Sequence, residues 1–223
     1  MRQNDRMETR QHTAIGAVHR IDDEAELRAA IGGDPLPIVC AKIIDHLNHL
    51  TRQFVERSPF VCLATTGADG SCDVSPRGDP AGFVRILDER TLLIPERPGN
   101  RIADTLRNVL DTGRIAVLFL LPGVGETFRV NGRAWLTDDA DLLASSVVDA
   151  KAPRVGIVVE IEEAYTQCPK ALLRSDLWNS ERFIERSSLP SNGELMQAIV
   201  ADLDVDAFEA ERADRYRRRE GFY

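Results

Sequence analysis

The strongest constraint on this chain is a run of short strand-like segments between residues 60 and 162, broken by one helix-like segment. Phe60–Thr66 is apolar, Gly67-Ala68-Asp69-Gly70 forms a turn, and residues 71–75 alternate as a returning strand. Residues 83–87 and 91–94 flank Asp88-Glu89-Arg90 as a second hairpin. Residues 114–121 are strongly hydrophobic. Pro122-Gly123-Val124-Gly125 turns them back into 126–136, where Phe128, Val130 and Gly132 alternate with Arg129, Asn131 and Arg133. Residues 154–162 supply a last strand. The break is 100–110, where Ile102, Leu106, Val109 and Leu110 share one helical face and Gly113 ends the helix. Strands joined by tight turns pair antiparallel, whereas a parallel sheet needs a crossover between neighbours. The expectation is a mainly-β fold with flanking helices, built on a six-stranded antiparallel barrel that is closed or half-closed.

The flanks read differently. Residues 1–12 form a loose polar tail, and 22–31 a short helix with acids in its first turn, stopped by Gly32-Gly33. Pro35 and Pro37 mark a linker. Residues 46–57 are expected to be helical, with Leu47, Leu50 and Phe54 at three- and four-residue steps. A short helix is expected over 137–144, with Thr137 as its cap. After the strands, 171–184, 192–202 and 204–219 have helical patterning. The last carries acids early and Arg212, Arg215, Arg217, Arg218 and Arg219 late, as the helix dipole favours. That end is either a solvated terminus or a docking point for an acidic partner surface. The organisation expected is a tail and short helix over 1–45, a barrel domain over 46–165, and a helical extension over 166–223 that packs on the barrel or on a dimer partner.

With 223 residues, 43% of them hydrophobic, the chain can bury a sizeable core. Its net charge of −8 opposes nucleic-acid binding but permits a local anion site. No apolar run approaches the roughly 20 residues of a membrane helix, and residues 1–12 lack the apolar core of a secretory signal. Cys40, Cys62, Cys72 and Cys168 contain no C-x-x-C pair and read as reduced thiols of a cytoplasmic protein. His12, His19, His46 and His49 precede the strands with no cluster of carboxylates and cysteines around them, so they read as surface residues and no metal site is expected.

The chemistry concentrates between Ser75 and Arg101. One end is Ser75-Pro76-Arg77-Gly78-Asp79-Pro80, the other Pro95-Glu96-Arg97-Pro98-Gly99-Asn100-Arg101 leading into the expected helix. Arginine, hydroxyl groups and the exposed N–H groups of a helix start are what a phosphate dianion requires. Gly99 permits close approach of the backbone, Asn100 can cap the helix or bond the anion, and Arg101 can clamp it. Arg77 and Ser75 can reach the same anion from the neighbouring strand. Read blandly, the same residues make an ordinary capped helix with surface arginines.

The order of these segments carries a resemblance. Phe60-Val61-Cys62-Leu63-Ala64-Thr65-Thr66, then Gly70, then Asp73-Val74-Ser75-Pro76-Arg77-Gly78 resembles the opening of the pyridoxamine 5′-phosphate oxidase-like, FMN-binding split-barrel family. The stretch from Leu92-Leu93-Ile94 through Asn100-Arg101-Ile102-Ala103-Asp104-Thr105 is similar to the segment on which that family seats the FMN phosphate. Phe128-Arg129-Val130-Asn131-Gly132-Arg133-Ala134 is similar to a later barrel strand. Cys168-Pro169-Lys170-Ala171, with Arg174-Ser175 and Leu177-Trp178, resembles the ending of a subgroup of FMN-dependent proteins.

The resemblance implies a split barrel and a set of roles. Asp73, Val74, Ser75 and Arg77 would lie along the flavin and its phosphate. Ile94 and Pro95 would touch the ring or ribityl chain through backbone groups, and Asn100 and Arg101 would hold the phosphate. Thr127 would make a polar contact to the flavin, Lys170 would place positive charge at its pyrimidine edge, and Trp178 would wall the ring or the substrate pocket. The implied protein is a homodimer with FMN at its interface, an oxidoreductase moving hydride or electrons between FMN and a small organic substrate or NAD(P)H. A flavin-binding or sensing module without turnover, or a deazaflavin-binding barrel, stands as the alternative. Cys72 and Ser75-Pro76 depart from the basic and apolar residues of the vitamin B6 oxidases, and this argues against that reaction.

Overall fold

A computed structural model describes residues 19–223; the tail expected over 1–12, with His12, lies outside them. The described residues fall into two units divided after Cys40. The first contains α1 (Glu24–Ile31). Asp23 caps it by accepting from the Glu26 N–H at 2.8 Å, and Gly32, at φ 89°, closes it in the left-handed conformation that glycine adopts without strain. No residue of α1 is buried. Helix α2 (Pro37–Ala41) spans the division.

The second unit is built on one antiparallel sheet. Its strands are β1 (Phe60–Thr66), β2 (Cys72–Gly78), β3 (Arg85–Ile86), β4 (Thr91–Pro95), β5 (Arg114–Leu120), β6 (Thr127–Thr137) and β7 (Gly156–Gln167), in the spatial order β2-β1-β5-β6-β7-β4-β3. The sheet therefore has seven strands, where six were expected, and it is not closed. The expected second hairpin is present, but its first arm shrinks to the two residues of β3. This is the mainly-β fold with flanking helices that the strand pattern implied, and it is consistent with the split barrel that the resemblance implied.

Period-two alternation turns one face of each strand inward. Val61, Leu63, Val117, Phe119, Phe128, Val130, Ile157 and Val159 form one core, each fully buried. Phe54 stacks on Phe128 with ring centroids 5.6 Å apart, and Phe119 lies 5.7 Å from the same ring. Leu93 and Val158, on the opposite face, meet Leu143 of α5 (Ala140–Ala144) in a smaller cluster. Covering on both faces explains why β7 opens with four consecutive buried residues. Strand β2 lies at the sheet edge, paired only with β1, which accommodates Pro76 because an edge position can lack an N–H donor. The strand runs on to Gly78 instead of turning at Ser75.

The helices are shorter than their sequence patterns. Helix α3 covers Arg52–Arg57 only, because the Asn48 side chain accepts from the N–H groups of Leu50 and Thr51 and folds the preceding residues into a turn. Helix α4 is Asp104–Thr112, not 100–110. Ala103 has φ 60°, which no right-handed helix can contain, and Ile102 and Leu110 are 57% and 71% exposed. Thr105, Asn108 and Val109 are buried and Leu106 packs against the core, so two of the four residues of the expected stripe face inward. Thr105 donates to Asp73 of β2 at 2.8 Å and Asn108 to Thr65 of β1 at 3.0 Å, so polar contacts fasten α4 to the sheet. Asp139, not Thr137, caps α5, since Thr137 is the last residue of β6.

The last segment holds α6 (Lys170–Ser175), α7 (Asn192–Gln197) and α8 (Val205–Arg217). Asp176, at φ 50°, ends α6 well before residue 184. Arg212 pairs with Glu209, and Arg217 and Arg218 with Asp214, so the arginines of α8 largely answer acids on their own helix. No helix among the described residues is long and apolar enough to cross a membrane.

Candidate functional site

A cleft of about 850 Å³ opens where the ends of β2 and β4 come together with residues 221–223. Asp73, Ser75 and Arg77 alternate along β2 and line it, while Val74 between them is 67% exposed. Residues 95–106, running from the end of β4 into α4, make the opposite wall. In this loop Arg101 and Ala103 have φ of 63° and 60°. Each left-handed non-glycine residue costs on the order of 1 kcal/mol or more, and such strain gathers at ligand-holding loops.

Asp73, Arg77, Asp79, Glu96, Arg97, Arg101 and Asp104 bring charge to the cleft, and four of them form two ion pairs. Arg77 Nε donates to Glu96 at 3.1 Å, and its Nη1 donates to the Ser75 hydroxyl and the Pro76 carbonyl. Arg77 thus ties the two walls together, with its side chain 17% exposed. Arg97 is more deeply placed. Its Nε donates to Asp79 at 2.7 Å and its Nη2 to the Ser146 carbonyl at 2.8 Å, while the Asp79 side chain is 1% exposed. The Tyr223 ring lies 5.1 Å from the Arg97 guanidinium carbon, and the Tyr223 hydroxyl donates to the other Asp79 oxygen at 2.8 Å. That bond to a carboxylate, with burial, pushes the Tyr223 phenol above its ordinary value.

The site also holds unspent donors. Arg97 Nη1 is buried with no hydrogen-bond partner among the described residues. The Asn100 carbonyl oxygen accepts from the Ile102 N–H at 3.0 Å, which leaves the amide nitrogen for a ligand. Arg101 is exposed at the mouth. Ala103 gives α4 no side-chain cap, so its first-turn N–H groups are not satisfied in that way. A desolvated guanidinium nitrogen, an amide, a second arginine and a helix start suit a phosphate, since Asp79 and Glu96 are already paired with cations.

Of the residues singled out in the sequence, Asp73, Ser75, Arg77, Pro95, Asn100 and Arg101 line this cleft. Ile94 sits in the core, fully buried. Thr127, Lys170 and Trp178 lie elsewhere, around the start of β6 and the end of β7. Thr127, 7% exposed, faces Gln167 at 3.4 Å, the Trp178 indole donates to the Val124 carbonyl at 2.8 Å, and exposed Lys170 opens α6. Sequence reasoning passed over Asp79, Arg97 and Tyr223 as site residues. Asp79 and Arg97 stand inside the two Arg-bearing segments and could have been found there. Tyr223 lies 144 residues from Asp79 and has no local signal.

A family model described as pyridoxamine 5′-phosphate oxidase matches residues 47–168, over half of the sequence, and the chain belongs to that family. Among solved structures, HupZ of Group A Streptococcus is 16% identical, with 55% of this chain and 94% of that one covered and a TM-score of 0.46. The General Stress Protein 26 from Bacillus anthracis is 14% identical, with 53% and 94% covered and a TM-score of 0.41. HutZ, the heme storage protein from Vibrio cholerae, is 16% identical, with 55% and 94% covered and a TM-score of 0.38. No curated protein matches the chain.

Proposed function

We propose that the cleft seats the phosphate of flavin mononucleotide and that the protein is an FMN-dependent oxidoreductase acting on a small organic molecule. The observation that carries this reading is the buried Nη1 of Arg97, which has no hydrogen-bond partner among the described residues, in a cleft that Asn100 and Arg101 also line. Arg97, Asn100 and Arg101 would hold the phosphate, and Asp73, Ser75 and Pro95 would line the way from it toward the ring. The flavin, when bound, supplies the hydride and electron transfer. The protein's part is to bind, orient and shield it. Membership of the pyridoxamine 5′-phosphate oxidase family supports the choice of a flavin.

Thr127, Lys170 and Trp178 are not among the residues that line the phosphate cleft. A homodimer with the flavin at its interface would let one copy hold the phosphate while the second supplies these three groups. Arg77 would act as a strut between the walls, since Glu96, Ser75 and the Pro76 carbonyl already engage it.

The visible spectrum tests the reading. The protein should acquire a flavin band on addition of FMN, retain it through desalting, and lose it when NADH, NADPH or another donor is supplied. A protein that stays colourless after FMN is added overturns the cofactor. A bound flavin that no donor reduces overturns the enzymatic part alone.

A further inference from the structure

Arg97 is fastened on three sides. Asp79 takes its Nε, the Ser146 carbonyl takes its Nη2, and the Tyr223 ring lies over the guanidinium. The Tyr223 hydroxyl closes the arrangement by donating to the second Asp79 oxygen. One carboxylate oxygen is thus engaged by the cation and the other by the phenol. Tyr223 is itself anchored. Its carbonyl accepts from Lys151 Nζ at 3.2 Å, and Arg219 lies 5.8 Å from its ring and 3.8 Å from Asp149. Phe222, its neighbour, meets Tyr216 edge-on at 6.0 Å. Residues 219–223 form a strap fixed at several points, and its tip sits in the cleft wall.

A guanidinium is rigid and planar. Once two of its nitrogens and one face are fixed, the direction of the third nitrogen is fixed as well. Here the third is Nη1, the donor with no partner among the described residues. We infer that Tyr223 is a positioning residue for phosphate recognition: through Asp79 it orients Arg97 so that Nη1 serves the phosphate. This rests on the proposal that the cleft holds FMN. Without the hydroxyl, the Asp79 carboxylate can turn and Arg97 gains alternative orientations. Binding must then order it, which lowers affinity with no contact to the ligand lost.

Comparing FMN with riboflavin tests this, because riboflavin has the same ring system and no phosphate. Both would be titrated by flavin fluorescence against the full chain, Tyr223→Phe, Arg97→Lys and the double variant. Tyr223→Phe should weaken FMN about 5- to 10-fold, the worth of one hydrogen bond, and leave riboflavin unchanged. In the Arg97→Lys background, which lacks the planar fork, adding Tyr223→Phe should cost nothing more. FMN binding unchanged by Tyr223→Phe, or both flavins weakened alike as a general structural role would give, overturns the inference alone. An unsubstituted protein that binds the two flavins equally removes the phosphate seat, and the inference with it.

Discussion

Gly132 stands so close to Glu160 that a Cβ on the glycine would lie 1.9 Å from the Glu160 carbonyl oxygen. The contact falls at the irregularity where β6 shifts register against β7, between Asn131 and Gly132. Bulges of this kind bend a strand, and this one lies midway along the longest pairing of the barrel. Gly132→Ala should therefore destabilise the fold by about 3 kcal/mol, the top of the range for overpacking, because backbone must move. The midpoint of urea denaturation measures it, and an unchanged midpoint would mean that the two strands follow another path.

The Asp79–Arg97 pair should matter to stability as well as to binding. Asp79→Asn leaves Arg97 desolvated beside a neutral amide. The expected loss is about 3 kcal/mol, the lower end of the range for breaking a buried pair, since Asn preserves the shape. Chemical denaturation decides it; a loss comparable to that of an exposed pair would show that water reaches Asp79.

The strap has a pH signature. The Tyr223 phenol is raised above its ordinary 10.0, chiefly by its hydrogen bond to Asp79. A raised value means that the folded protein holds this proton more tightly than the unfolded chain does. The strap's contribution is then fully present below the ordinary value and is lost as pH climbs through the raised one. Subtracting the phenolate absorbance titration of Tyr223→Phe from that of the unsubstituted protein isolates this group. Its midpoint should lie above 10.0, and a midpoint at or below that value would place the hydroxyl away from a carboxylate.

Most of the sheet could be read from the sequence, because β1 and β5 are near-continuous apolar runs bounded by turn residues and β6 alternates apolar and polar residues. Strand β2 was legible only to Ser75. Pro76 reads as a stop, and only its place at the sheet edge allows the strand to continue. The start of α4 was misplaced for a related reason. An apolar stripe through Ile102, Leu106, Val109 and Leu110 suggests a helix from residue 100; Leu106 and Val109 do pack on the core, but Thr105 and Asn108, whose partners lie on β2 and β1, fasten the helix as well. Hydrophobic periodicity is silent on such polar contacts. In the site, the two Arg-bearing segments were visible as a pair. Which arginine does what was not, because it depends on long-range partners: Glu96 engages Arg77, whereas Asp79 and Tyr223 leave one nitrogen of Arg97 unspent.

The most direct test of the phosphate seat is the FMN dissociation constant of Arg101→Ala beside that of the unsubstituted protein. Arg101 is exposed at the cleft mouth, so its removal should leave the fold intact. The account predicts an affinity lower by about 1.5–3 kcal/mol, the worth of a charged hydrogen bond. An unchanged dissociation constant would contradict it, and would place the phosphate away from the loop that joins β4 to α4.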